Sequence, residues 1–292
     1  MINALIENCK FKVEEKIDEL LPVSDNTFSS LENAVRYSIL SGGKRIRPFI
    51  LTEFYKLCNG KNENVYNFAV ALEMIHTYSL IHDDLPCMDN DDFRRGKPSC
   101  HKVFGEDIAL LAGDALLTAA FTVAATATGF ENDKVIRAIK VLSEKAGIGG
   151  MIKGQVIDIS IVGKSPDAEI LTAMYLKKTG CLLEAAAEIG CILAGADQKT
   201  INNATVYAQN LGLAFQVIDD ILDTTGDEQV LGKPIGSDEK NNKTTFVTLH
   251  GIEKSREFAD EFTDKALEAL DKFEGDNSVL KELTEYLLIR KN

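Results

Sequence analysis

Proline is scarce in this chain, six among 292 residues, and no stretch rich in glycine, serine or proline divides it. Without a linker, residues 1–292 read as a single domain. No segment alternates apolar and polar residues with the period of two that a half-buried strand needs, which argues against a sheet protein. No run approaches the roughly 18 consecutive apolar residues of a membrane span, so no integral membrane segment is expected. The N-terminal residues mix charge into their apolar run too early for a signal peptide. The six cysteines, Cys9, Cys58, Cys87, Cys100, Cys181 and Cys191, make no CxxC pair and no zinc-like spacing. They read as reduced thiols of a cytoplasmic protein. Basic residues are outnumbered, 32 against 45 acidic, for a net charge of -13. Such a chain repels nucleic acid and anionic lipid. Any anionic ligand must be held by local cations or by metal ions.

What the chain does have is helical periodicity. At 45% hydrophobic it can fill a sizeable core. Leu31, Ala34, Val35 and Ile39 form one stripe, and Val65, Phe68, Ala69, Leu72 and Ile75 another. Residues 108–127 are nearly all apolar and read as a central helix packed on all sides. Residues 171–193, 201–222 and 255–273 give three more long helical segments. Pro22, Pro48, Pro98 and Pro166 fall at helix boundaries or in loops, where proline is tolerated. The predicted fold is all-α, one large helical bundle. Two polar segments interrupt it, 83–97 and 231–245, each behind a strongly periodic helix.

Each of those helices ends in aspartates. The first cluster is Asp83, Asp84 and, beyond Pro86, Asp89; the second is Asp219, Asp220 and Asp223. Asp219 and Asp223 are four apart and share a helix face. Pro86 ends or bends the first helix, so Asp89 has to swing back from a loop. Acids at a helix C-terminus meet the negative end of the macrodipole, and two unit charges about 4 Å apart near a surface repel by roughly 4 kcal/mol. A hard divalent cation resolves that conflict, and magnesium fits where one or two carboxylates are bridged to substrate phosphates. A solvated acidic face or a set of caps explains one such string; two, each at the same place on a helix, favour a metal. Cations adjoin them. Lys44, Arg45 and Arg47 follow Gly42-Gly43; Arg94, Arg95 and Lys97 follow the first acids; Lys177, Lys178, Lys233 and Lys243 come later. Guanidinium forks and ammonium groups are natural partners of phosphate oxygens.

The string from Glu73 through Asp83-Asp84-Leu-Pro-Cys-Met-Asp89 to Arg94-Arg95-Gly-Lys-Pro98 resembles the first aspartate-rich motif of the trans-prenyltransferases. Gly42-Gly-Lys-Arg-Ile-Arg-Pro48 resembles their homoallylic diphosphate site. Gly154-Gln-Val-Ile-Asp158, Lys178-Thr-Gly180 and Phe215-Gln-Val-Ile-Asp-Asp-Ile-Leu-Asp223 match in the same order. The resemblance spans about residues 30–250 and is nearest to bacterial-type farnesyl diphosphate synthases, then to plant-type geranylgeranyl diphosphate synthases. It implies a homodimer of all-α subunits, each around a deep central cavity, acting on small isoprenoid diphosphates.

Position by position, it implies that Asp83, Asp89 and Asp219 bind magnesium, three ions in all with manganese as a substitute, supported by Asp84, Asp220 and Asp223. Arg94, Lys178 and Lys233 would contact the allylic diphosphate, with Thr179 and Gln216 facing the developing carbocation and Gln155 and Asp158 near the allylic group. Lys44, Arg47, His76 and Arg95 would hold isopentenyl diphosphate, with Phe215 beside its hydrocarbon. Asn90 stands where some relatives have a fourth aspartate, and Arg290 and Lys291, just before Asn292, carry no assigned role.

The chemistry expected is ionisation of an allylic diphosphate, attack by the isopentenyl double bond and loss of a proton to the departed diphosphate. His82 reads as a helix-end hydrogen bonder. Tyr78 and Ser79 lie about one 5.4 Å turn below Asp83 and are candidates for the cavity floor that limits product length, with C15 the first expectation and C20 the second. A terpene cyclase needs no second diphosphate site, and a silent partner subunit loses one acid motif. A helical scaffold with acid caps would not bind diphosphate.

Overall fold

The computed structural model describes residues 1–21, 29–225 and 243–288. Helix follows helix: α1 Ile2–Leu20, α2 Ser30–Ile39, α3 Ile46–Leu57, α4 Val65–Asp83, α5 Cys100–Phe104, α6 Glu106–Ala125, α7 Asn132–Ala146, α8 Met151–Ile161 and α9 Ala168–Tyr175. A π-helical turn, Leu176–Gly180, leads into α10 Cys181–Ala194 and α11 Gln198–Thr225. Then come α12 Phe246–His250, α13 Ile252–Leu270 and α14 Ser278–Leu288. The expected all-α architecture is what forms. Packing groups the chain into two units, residues 3–52 with 61–139, and 53–60 with those from Lys140 on.

In the first unit α4 is the core. Every residue from Val65 through Ile75 is buried, and each large apolar side chain so removed from water contributes roughly 1.5–3 kcal/mol. Around it α1 buries Ile6, Cys9, Val13 and Ile17, one stripe at helical spacing. Helix α6 lies along α4 through Ala109, Ala112, Gly113, Leu116 and Ala120. A Cβ on Gly113 would lie 2.1 Å from His82 Nε2, so a larger residue there would displace that ring from its bond to the Leu110 carbonyl. The reading of this helix as packed on all sides is corrected: Leu110 and Leu111 are 47% and 51% exposed. Alanine-rich composition signalled close approach on one face, not enclosure on every face. By length and composition alone α6 could cross a membrane, yet within the unit it is a packing helix.

Behind α4, residues 93–98 form a hairpin, Phe93–Arg94 antiparallel to Lys97–Pro98. Arg95 and Gly96 make its turn with φ 54 and 75, the double positive φ of a tight two-residue hairpin. Among the described residues these are the only strands. They are too short to alternate, which is why no period of two announced them.

In the second unit α11, 28 residues long, packs along α13 and α10. Leu171, Met174, Tyr175, Leu213, Val217 and Ile221 share one core with Phe246. Residues 171–193, expected as one helix, run as helix with the π turn inserted at Leu176–Gly180. Single π turns inside α-helices are rare and gather at functional sites. Gly212 of α11 lets that turn come close, since its Cβ would stand 3.2 Å from Gly180 Cα.

Candidate active site

Helix α4 ends at Asp83, and the chain folds straight back. The Asp89 backbone N–H donates to the Asp83 carbonyl at 2.9 Å, and Asn90 N–H to the Leu85 carbonyl at 3.1 Å. The return that Pro86 suggested therefore brings Asp89 beside Asp83. Asp83 is half-buried and Asp89 exposed. Asp84 points inward, 2% exposed, where Arg94 donates to its Oδ1 from Nε at 2.9 Å and again from Nη2. Arg94 also meets Asp91 at 3.0 Å. Burial pushes the Asp84 carboxyl above its usual range, and Arg94 pulls against that rise.

On the same unit the basic residues gather at the start of α3. Gly42 and Gly43 have φ 100 and 108, which only glycine adopts without strain. The Arg95 guanidinium donates to the Gly42 carbonyl, and a Cβ on Gly43 would lie 2.7 Å from it. The glycines thus make Arg95's seat. Lys44 is exposed and Arg47 half-buried, and Arg47 Nε finds no acceptor among the described residues. Arg47 Nη1 lies 3.4 Å from His76 Nε2. A guanidinium only donates, so this nitrogen accepts and the ring is neutral. Burial, then the charges of Arg47, Arg95, Arg45 and Arg94, hold His76 well below its ordinary value. Arg45 is corrected as a phosphate cation: it is buried in an ion pair with Glu73.

Below Asp83, Tyr78 is 5% exposed, its ring edge-on to His82 at 5.7 Å. Its hydroxyl has no partner among the described residues, and burial pushes that phenol up to about 12. Ser79 donates to the His76 carbonyl at 2.9 Å. His82 donates from Nε2 to the Leu110 carbonyl at 3.0 Å, a structural bond as expected.

The second unit holds a cavity of about 150 Å³ lined by Asp158, Lys178, Thr179, Gln216, Asp219 and Asp220, with Lys243 at its edge. The π turn supplies Lys178 and Thr179. Lys178 Nζ donates to Asp158 Oδ2 at 2.6 Å, and Thr179 Oγ1 to Gln216 Oε1 at 2.9 Å. Gly154 permits the first contact, because a Cβ on it would lie 2.1 Å from Lys178 N. Asp220 is buried and accepts from Tyr175 Oη at 2.6 Å and from the Phe246 N–H at 2.9 Å, all at Oδ2. Asp219 is half-buried and Asp223 is 3% exposed. Phe215 is half-buried beside Gln216 in the sequence. Both amide atoms of Gln155 are buried without a partner among the described residues, which suits the group to a polar ligand. Lys233, Arg290 and Lys291 lie outside the described residues.

Each unit thus offers accessible carboxylates in small number: half-buried Asp83 with exposed Asp89, and half-buried Asp219. No group of three acids, histidines or cysteines able to hold a metal occurs among the described residues. That donor set suits magnesium, which keeps waters and shares its sphere with substrate phosphates, better than a cation needing an all-protein cage.

Residues 28–287 match the family model for polyprenyl synthetase. The chain belongs to the polyprenyl synthetase family. Among its relatives, geranylgeranyl diphosphate synthase of Cyanophora paradoxa is 43% identical over 96% of this chain and 93% of its own length. The large subunit 1 of the heterodimeric geranylgeranyl pyrophosphate synthase of Arabidopsis thaliana is 44% identical, over 96% and 77%. Among solved structures, geranylgeranyl pyrophosphate synthetase of Pyrococcus horikoshii superposes with a TM-score of 0.92 at 32% identity, covering 99% and 98% of the two chains. An FPP/GFPP synthase of Zymomonas mobilis gives 0.89 at 33%, covering 98% of each. The fold is the all-α isoprenoid synthase type, and the enzyme is a chain-elongating prenyltransferase.

Within this polyprenyl synthetase some working parts carried no signal in the sequence. Tyr175, which anchors Asp220 with the Phe246 N–H, sits in an ordinary apolar run, and Phe246 stands among threonines with nothing to mark it. Arg45 stands in a basic string, and nothing local in that string separates it from its neighbours.

Proposed function

We propose that this prenyltransferase is a geranylgeranyl diphosphate synthase, adding isopentenyl diphosphate to an allylic diphosphate until twenty carbons are joined. The observation that carries this reading is the identity to relatives of that name over nearly the whole chain. Asp83, Asp89 and Asp219 would hold magnesium, with Asp84, Asp220 and Asp223 in support and manganese as a substitute. The metal, three ions in the full complement, would act as a Lewis acid on the leaving diphosphate. Arg94, Lys178 and Lys233 would neutralise its oxygens. Thr179 and Gln216 present oxygen dipoles in the same cavity as Asp219, and oriented dipoles of this kind stabilise developing charge without reorganising. The departed diphosphate would be the base that takes the final proton. Lys44, Arg47, His76 and Arg95 would hold isopentenyl diphosphate, the neutral imidazole by orienting Arg47.

A second reading, C15, is favoured by one observation: the buried Tyr78 ring five residues before Asp83. A homodimer is the assembly we expect, and exposed Leu110 and Leu111 on α6 support it, as apolar surface of this kind commonly marks an interface. Sedimentation of the purified chain tests that. Product analysis tests the function: incubation with isopentenyl diphosphate, magnesium, and dimethylallyl or geranyl diphosphate, followed by sizing of the dephosphorylated alcohols. A C20 alcohol that disappears with a chelator supports the main reading. A C15 alcohol supports the second, and no coupling sinks both.

A further inference from the structure

Beneath the basic residues of the first unit lies a buried carboxylate. Glu73 and Arg45 are each 2% exposed, and Arg45 Nη1 donates to Glu73 Oε1 at 2.7 Å. Arg45 Nη2 donates to the Ile39 carbonyl at 2.5 Å and lies 3.3 Å from Glu14 Oε1. The Arg45 backbone sits at φ 51, a left-handed conformation uncommon for any residue with a Cβ. Such conformations persist where the surroundings over-determine them, and here three acceptors from α1, α2 and α4 do so. Glu73 reaches further than Arg45. Burial draws the Arg47 and Arg95 guanidiniums down, and in both Glu73 is the group that opposes it. One carboxylate, a turn before His76 on α4, thus bonds Arg45 and acts through its charge on Arg47 and Arg95.

We propose that Arg45 and Glu73 are a positioning pair for the isopentenyl diphosphate site: Arg45 fixes the loop that presents Lys44 and Arg47, and Glu73 is the buried counter-ion that lets Arg45, Arg47 and Arg95 lie together. This rests on isopentenyl diphosphate being the ligand of Lys44, Arg47 and Arg95. A diphosphate is bound tightly when its cations are already assembled, because ordering them at the moment of binding takes away affinity. Guanidiniums without a counter-ion repel one another apart. Arg95 is held from its other side by the Gly42 carbonyl and the open space at Gly43, so the pair completes a seat that the glycines begin.

Two rival accounts make opposite forecasts. If net charge alone governs, removing a carboxylate makes the patch more positive and tightens binding. If the pair is merely structural, a well-packed apolar pair replaces it without loss, as buried ion pairs often allow. The experiment is steady-state kinetics on wild type, Glu73→Gln, Arg45→Met and the double Arg45→Met/Glu73→Met, varying each substrate at saturation of the other, with calorimetric binding of isopentenyl diphosphate and thermal denaturation alongside. We expect KM for isopentenyl diphosphate to rise about tenfold or more in both single variants, equivalent to roughly 1.4 kcal/mol, while KM for the allylic substrate moves less than about twofold. The double variant regains thermal stability and keeps the raised KM, and it decides the matter even if a single variant fails to fold. Tighter isopentenyl diphosphate binding in Glu73→Gln, or a wild-type KM in the double, overturns the pair while leaving the enzyme's function standing. A wild-type chain that does not couple the substrates overturns the function and the pair with it.

Discussion

Arg94 donates from Nε to Asp84 Oδ1 at 2.9 Å, and the carboxylate it meets is 2% exposed. A cation assigned to substrate and an acid assigned to the metal cluster therefore hold each other across the turn that ends α4. The pair sets the hairpin's attachment, since Arg94 is a residue of its first strand.

Removing Arg94 alone leaves Asp84 buried without its partner. Burial already raises that carboxyl, so part of the penalty is relieved by protonation, and Arg94 is a third exposed, which screens the rest. We expect Arg94→Met to lower stability by about 1–3 kcal/mol. Arg94→Met/Asp84→Leu, which leaves no buried polar group unpaired at the pair, should recover most of that in denaturant titrations while coupling activity stays lost. An Arg94→Met chain as stable as wild type would show that the pair contributes nothing to folding.

His76 gives the stability a pH dependence of known sign. Its folded value lies well below 6.5, so below that pH the unfolded chain takes up a proton that the folded ring refuses. The stability from neutral His76 is complete above 6.5 and is lost as pH falls beneath it. For one group this amounts to about 1.4 kcal/mol between about pH 7.5 and about pH 5.5. The charges acting on the ring are Arg47 from α3, Arg94 and Arg95 from the hairpin, and Arg45. Urea titrations of wild type and His76→Gln at the two pH values measure the difference directly. Identical slopes would remove His76 from the account.

The π turn depends on Gly154. An alanine there would put its Cβ 2.1 Å from Lys178 N and 2.5 Å from Lys178 Cα, backbone atoms that cannot rotate aside. Gly154→Ala should destabilise by more than about 2 kcal/mol and break the Lys178–Asp158 contact, lowering kcat more than about tenfold. Gly149→Ala is the control: nothing lies within 4 Å of its Cβ position, and stability should stay within about 0.5 kcal/mol.

The helices, their order and the two acid clusters were legible because each is written locally, in apolar spacing or in adjacent aspartates. The return of Asp89 to Asp83 followed from Pro86. What was not legible depends on contacts distant in sequence. Nothing local separates Arg45, buried on Glu73, from exposed Lys44 beside it. The π turn at Leu176–Gly180 preserves apolar spacing on both sides, so the run reads as one helix. On α6 an apolar face that packs and an apolar face that stays exposed look alike, because composition records polarity and not neighbours.

Tyr78 offers the sharpest test of product length. Its ring is buried five residues before Asp83, a rise of about 7.5 Å along α4. Its hydroxyl is buried without a partner among the described residues, so Tyr78→Phe removes an unsatisfied group and should leave stability equal or slightly higher. Product length should not move in that variant, because the ring remains. Tyr78→Ala removes the ring. It should cost about 3–5 kcal/mol at most, less if the cavity collapses, and should lengthen the main product by one or more five-carbon units. Sizing the alcohols from wild type and both variants under one set of conditions separates the two effects. If Tyr78→Ala stays active with an unchanged product, the ring is core packing and the floor lies elsewhere. A longer product from Tyr78→Phe as well would assign the limit to the hydroxyl instead of the ring.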